Sequence, residues 1–222
     1  MWMPTNFAKV NTTCARKLEV VNLQIQSINH HFPKNTLKGL CVGVPGAGSQ
    51  ALRHRDEYLA YGIPEERQVM VDYDRNVSAG QRRYMSREGY RGKIVCSELQ
   101  KTLKKFWNAG KHVDIIDYDD VTYLQPRHED IIRDAQVNNV NAIIIVITTR
   151  CPALSDYHKQ WKERLGLQKR YVKTSKKWHE PLRDIQLGAI KEIGEQCGYF
   201  LTMNESYSGY GPPMLSCVLV KK

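Results

Sequence analysis

The chain lacks any long apolar run. Its longest, Ala142 to Ile147, covers six residues, far short of the roughly 20 that a membrane-spanning helix needs. Met1 to Asn6 holds no basic stretch leading into an apolar core, so a secretory leader is not expected there. No C-x-x-C pair occurs: Cys14, Cys41, Cys96, Cys151, Cys197 and Cys217 are scattered. This pattern excludes a zinc ribbon or disulfide framework and suits a reduced, cytoplasmic setting. His30 and His31 are adjacent and point to opposite sides of most backbones, so no metal site is expected. No repeat or low-complexity linker divides the chain. Acidic residues are also scarce, 23 against 33 basic ones, for a net charge of +10 in 222 residues. Such a surplus favours a polyanionic partner, nucleic acid first.

What is present alternates. Leu40-Cys41-Val42-Gly43-Val44 reads as a strand and Pro45-Gly46-Ala47-Gly48 as a turn. A helix follows from Ser49 to Ala60, with Ala51, Leu52, Leu59 and Ala60 as its apolar positions and Gly62 at its end. The second strand, Gln68 to Asp72, closes on acids Asp72 and Asp74. Strand, glycine turn, helix, strand and acid together form a βαβ unit of the kind that binds nucleotide-like ligands at its turn. A helix from Glu98 to Ala109 and one from Pro126 to Ala135 flank a third strand, Val113 to Ile116. That strand runs into Asp117-Tyr118-Asp119-Asp120. Ala142 to Ile147 reads as a fourth strand, buried on both faces. After a helix from Pro181 to Cys197, Tyr199–Met203 and Met214–Val220 form a hairpin around the loop Asn204 to Pro213. The expected fold is α/β: a doubly wound, mostly parallel sheet, helices on both faces, and a C-terminal antiparallel hairpin. Residues 1–36 are expected to form a helical N-terminal extension, with a helix near Lys17 to Ile28, and 37–222 the main domain.

Two segments mix basic and aromatic residues. Residues 75–93 carry Arg82, Arg83, Arg87 and Arg91 with Tyr84 and Tyr90. Residues 155–178 carry Lys159, Arg164, Lys169 and Arg170 with Tyr157, Trp161 and Tyr171. Guanidinium groups meet phosphates and rings stack on bases, so both segments are candidate nucleic-acid contacts. Solvated charged surface is the plainer reading of each.

This layout resembles the class I S-adenosylmethionine-dependent methyltransferases, whose Rossmann-like fold ends in a hairpin carrying an antiparallel seventh strand. The resemblance implies S-adenosylmethionine as cofactor. It assigns the glycine loop to Gly43, Gly46, Ala47 and Gly48, with Gly46 and Gly48 matching the last two loop glycines. Asp72, or else Asp74, matches the acid that holds the ribose hydroxyls. Asp119, or its neighbours Asp117 and Asp120, matches the acid after the third strand that contacts the adenine amino group. Thr148 and Thr149 fall after the fourth strand, where target-specific motifs sit. The chain departs from the family at Val42 and Val44, where an acid and a glycine are usual.

The resemblance leaves the target open. Amino-directed DNA enzymes of the family carry Asp or Asn, Pro-Pro and an aromatic after the fourth strand, whereas this chain has Thr148-Thr149-Arg150-Cys151-Pro152. The cytosine-C5 enzymes use Pro-Cys, here reversed as Cys151-Pro152. No Asp of the cap-type ribose set follows that strand. Methyl transfer asks chiefly for positioning, since the sulfonium is already activated. If a base is needed, His158, His179 and Glu205 are the candidates. The expected function is methyl transfer to RNA or DNA. Two alternatives stand beside it: a non-catalytic nucleic-acid-binding protein with a Rossmann-like shell, and a nicotinamide-dependent oxidoreductase, which Gly43-x-x-Gly46-x-Gly48 and Asp72 also fit.

Overall fold

A computed structural model describes residues 15–33, 36–46, 48–120, 122–149, 180–208 and 212–222. Its elements in order are α1 (Ala15–His31), β1 (Leu40–Gly43), α2 (Gly48–Ala60), β2 (Gln68–Asp72), α3 (Arg75–Arg87), β3 (Lys93–Cys96) and α4 (Leu99–Asn108). These are followed by β4 (Val113–Asp119), α5 (Pro126–Val137), β5 (Ala142–Thr148), α6 (Glu180–Gln196), β6 (Tyr199–Tyr207) and β7 (Met214–Lys221).

The seven strands form one sheet in the order β3-β2-β1-β4-β5-β7-β6. β1 to β5 pair in parallel. β7 is antiparallel to both β5 and β6, so β6 runs in the common direction and β7 alone is reversed. The doubly wound, mostly parallel sheet and the C-terminal hairpin are thus present as the sequence suggests. The hairpin loop is shorter than expected, because β6 continues to Tyr207.

Alternation along the strands splits the core between two faces. On one face, Leu103 and Phe106 of α4, Ile131 and Ile132 of α5, and Ile185 and Ile190 of α6 pack with Val42, Val71, Ile116 and Ile145. On the other, Val20 and Ile28 of α1, Tyr58 of α2 and Tyr61 just after that helix pack with Cys41, Ile115, Ile144 and Val146. Met85 of α3 joins Ala51 and Met70 beside them. α1 is also tied down by polar bonds: the Gln24 amide donates to the Ser216 hydroxyl at 2.8 Å, and Ser27 and Thr202 share a bond of 2.6 Å.

Three sequence expectations change. Residues 75–93 contain helix α3, the glycine turn after it and the start of β3. β3 escapes sequence reading because it is a short edge strand with only Ile94 and Val95 apolar, and its Lys93 and Cys96 are exposed. The strands read as third and fourth are therefore β4 and β5. Finally, the buried face of α2 is polar and aromatic. Ala51, His54 and Tyr58, with Tyr61 just after the helix, recur at helical spacing and are buried, whereas Leu59 is 43% exposed.

Candidate functional site at the C-terminal edge of the sheet

Strand order reverses between β1 and β4. In open α/β sheets that switch point opens a crevice at the carboxyl ends of the strands. The last residue of β1, Gly43, lies directly opposite Asp117 of β4. A Cβ at Gly43 would collide with the Tyr58 hydroxyl and press on Asp117, so this glycine serves close packing of α2 on the sheet. Gly46 is different: its φ of 74° is left-handed, a region glycine enters without strain. Its carbonyl accepts the side-chain amide of Gln81 from α3. α2 begins at Gly48, and the N–H groups of its first turn make this end an anion-binding feature. Ala47 lies outside the described residues.

Next along the edge, Asp72 ends β2. One carboxylate oxygen accepts the Asp74 amide at 2.8 Å, and burial pushes the carboxyl above its ordinary value. Asp74 has another task. It caps α3, accepting from the amides of Asn76 at 2.7 Å and Val77 at 3.2 Å. Between the two acids proposed for the ribose, Asp72 is thus the one not used as a helix cap. The residues after the true third strand are Ser97 and Glu98, and the Ser97 amide donates to the Asp72 carbonyl at 3.0 Å.

Asp117 and Asp119 therefore lie at the end of the fourth strand of the chain rather than after the third, and both point into a buried polar network. The Asp117 carboxylate accepts from the Tyr58 hydroxyl at 3.0 Å and meets His54 Nδ1 at 2.9 Å. Asp119 pairs with Lys17 of α1 at 3.4 Å and lies 3.9 Å from Arg53. Burial alone would raise the Asp119 carboxyl, but the neighbouring cations, Lys17 first and then Arg53, hold it below its usual value. Glu57 pairs with Arg53 at 2.8 Å, and burial pushes its carboxyl up. Three carboxylates thus face two permanent cations, and Glu57, raised by burial, is the acid that most readily takes a proton to relieve the excess negative charge.

His54, Glu57 and Asp117 bring ligand atoms within 4.8 Å of one another, the geometry of a candidate metal centre. The hydrogen bonds argue against that use. Arg53 can only donate, and its Nη2 lies 2.9 Å from His54 Nε2, so Nε2 accepts and Nδ1 carries the hydrogen. A metal on Nδ1 would move that hydrogen to Nε2, setting donor against donor.

On the opposite face of β4, Asp120 is held from several sides. It accepts the Thr122 amide at 3.1 Å and the Arg127 guanidinium at 2.7 Å. His128 lies fully buried behind it, its ring stacked on Tyr118 with centroids 4.8 Å apart. The Gln125 amide donates to His128 Nδ1 at 2.9 Å, which leaves the hydrogen on Nε2, 3.7 Å from Asp120. This network was missed in the sequence. The signal for it was the spacing of Tyr118, Asp120 and His128 around Pro126 at the start of α5.

Thr148 and Thr149 act on the backbone. Both hydroxyls donate to the Pro213 carbonyl, at 3.1 and 3.3 Å. The Thr148 amide bonds to the Thr122 carbonyl at 3.0 Å. They therefore fasten the loop after β4 and the hairpin loop to the end of β5. Glu205 is ion-paired with Arg16 at 2.8 Å. Arg82, Arg83 and Arg87 are exposed on α3. Arg91 is exposed too, but it pairs with Glu66 at 2.7 Å. His158, His179, Lys159, Arg164, Lys169 and Arg170 lie outside the described residues.

No protein-family model matches the chain, and no curated protein sequence matches it. Solved structures do. One is a magnesium protoporphyrin IX methyltransferase from Synechocystis PCC 6803 with bound SAH, at TM-score 0.57 and 11% identity, covering 100% of this chain and 90% of that one. Another is a SAM-dependent methyltransferase from Agrobacterium tumefaciens, at TM-score 0.53 and 11% identity, covering 90% and 62%. A third is a precorrin 8W decarboxylase from Methanobacterium thermoautotrophicum, at TM-score 0.50 and 11% identity, covering 90% and 88%. At such identities the likeness is one of fold: this chain has the Rossmann-like fold of the class I S-adenosylmethionine-dependent methyltransferases.

Proposed function

We propose that this protein is an S-adenosylmethionine-dependent methyltransferase acting on a nucleic acid. The observation that carries the reading is the glycine turn at the switch point, with Asp72 at the end of the next strand. The residues fit the cofactor. Gly46 gives the turn its left-handed backbone without strain, the N-terminus of α2 suits the methionyl carboxylate, and Asp72 has one carboxylate oxygen free of its bond to Asp74 for ribose hydroxyls. Asp117 and Asp119 are occupied by His54, Tyr58, Lys17 and Arg53, so the adenine side of the proposal passes to Ser97 and Glu98 after β3. Bound there, the cofactor supplies a methyl group already activated as a sulfonium.

The target reading follows from the strand count. With β4 as the true fourth strand, the slot for the target-specific motif holds Asp120-Val121-Thr122-Tyr123. The amino-directed enzymes place Asp or Asn, Pro-Pro and an aromatic there. This chain keeps the acid and the aromatic, with Val and Thr between. Asp120 is held rigidly enough to accept a hydrogen bond from an amino group and to orient its nitrogen toward the methyl. The net charge of +10 supports a polyanionic carrier of that amino group. The antiparallel β7, which an oxidoreductase reading leaves unexplained, belongs to the methyltransferase fold.

Methyl transfer is tested with S-adenosylmethionine labelled in the methyl group and duplex DNA, RNA and casein offered separately. Label is expected in nucleic acid, and Asp120→Ala, which removes the acceptor for the target amino group, is expected to slow its incorporation about 100-fold. Label in casein alone, or equal rates for the variant, contradicts the reading.

A further inference from the structure

α3 carries a charge pattern that neither the fold nor the cofactor site uses. Arg75, Arg82, Arg83 and Arg87 are all exposed, and α3 contains no acidic residue. None of the four forms an ion pair among the described residues. The lysines of α4 differ: Lys101 pairs with Glu98 at 2.9 Å and Lys104 with Asp134 at 3.7 Å. Four unpaired guanidinium groups on one helix repel one another and pair best with an external polyanion.

Their arrangement is specific. At about 100° per residue, Arg75 and Arg82 lie on one flank of the exposed face and Arg83 and Arg87 on another, about 110° away. Between the flanks the crest holds Ala79 and Ser86, which are small. Ala79 is half-buried and Ser86 exposed, while Ser78, Gln81 and Met85 are buried about 80° beyond the Arg75 and Arg82 flank. From Arg75 to Arg87 the flanks extend about 18 Å at 1.5 Å per residue. A smooth crest between two arginine flanks fits a groove bordered by two rows of phosphates. The B-form major groove is about 12 Å wide and admits a helix, whereas the A-form major groove is too narrow. Ala79 and Ser86 offer no bidentate reader of base edges, so the strip between the flanks contributes contact area and no base readout.

We propose that α3 docks along the major groove of duplex DNA, with Arg75 and Arg82 on one phosphate row and Arg83 and Arg87 on the other. This names duplex DNA as the nucleic acid and rests on the nucleic-acid reading above. α3 begins directly after Asp72 and Asp74, so the DNA leaves the rim of the cofactor crevice along this helix. An acidic protein is the competing occupant of the same charge. It has no reason to need two flanks and a bare crest.

The test is fluorescence anisotropy with the full chain and a labelled 24-base-pair DNA duplex of mixed sequence, titrated across 50 to 200 mM salt. The probes for comparison are an RNA duplex of the same sequence and polyglutamate. The triple variant Arg82→Gln, Arg83→Gln, Arg87→Gln is expected to weaken DNA binding more than tenfold. It should also flatten the log–log salt slope by about 3, at about 0.9 per phosphate contact. Ser86→Glu, which removes no arginine, should weaken binding at the crest. Lys101→Gln, Lys104→Gln, Lys105→Gln should leave the slope unchanged. Unaltered circular dichroism of each variant keeps misfolding out of the comparison. An unchanged slope in the arginine variant overturns the ridge while the nucleic-acid reading survives. RNA duplex binding as tight as DNA, with the same dependence on the arginines, overturns groove docking. Absence of DNA binding with the RNA duplex still bound overturns the DNA proposal alone, and absence of binding to both duplexes, with or without capture of polyglutamate, overturns both readings.

Discussion

His128 shows how much the site depends on single buried groups. Burial pushes its imidazole down to about 4 from an ordinary value of 6.5. A depressed folded value means that the neutral ring contributes stability fully above pH 6.5, and that the contribution is lost as the pH falls toward 4. A shift of that size corresponds to about 3 kcal/mol. The native protein should therefore lose about 2 to 3 kcal/mol more than His128→Gln between pH 7 and pH 4.5, as read from urea unfolding. Parallel losses in the two proteins contradict the account. Asp72 was legible in the sequence because an acid at a strand end after a glycine turn is a local pattern. Asp117, Asp119 and His54 were not legible as a network. Their meeting depends on α1, α2 and β4 packing together, which no local spacing encodes.

At the scale of elements, β5 was readable because a continuous run of Ile and Val can sit only in a sheet covered on both sides. β3 was not, because an edge strand needs few apolar residues, and its loss from the count moved every later strand by one. α2 was placed correctly but its face was misjudged. The helix buries His54 and Tyr58, which bond to Asp117, where the apolar residues Leu52 and Leu59 had suggested the inner side. α3 offers a direct check on its own integrity. A Cβ at Gly80 would meet no heavy atom within 4 Å. Gly80→Ala should therefore stabilise the helix interior by about 0.5 to 1 kcal/mol. That raises the thermal midpoint by about 1 to 4 °C in scanning calorimetry; a lowered midpoint contradicts the open space seen there.

For the molecule as a whole, the alternation of strands and helices was enough to specify class and layering, because helices must cover both faces of a parallel sheet. Strand order was not available from sequence, since β1 and β4 pair across some 70 residues of chain. That order decides where the site lies. It puts the glycine turn at the switch point and Asp72 at the end of the neighbouring strand. The central claim is that this edge holds an adenosyl cofactor through the turn and Asp72. Isothermal titration with S-adenosylhomocysteine tests it most directly. The account predicts one site on the native chain and at least tenfold weaker binding by Asp72→Ala, about 1.4 kcal/mol, with the variant's circular dichroism unchanged. No heat of binding at millimolar ligand, or equal affinity in the two proteins, would contradict it.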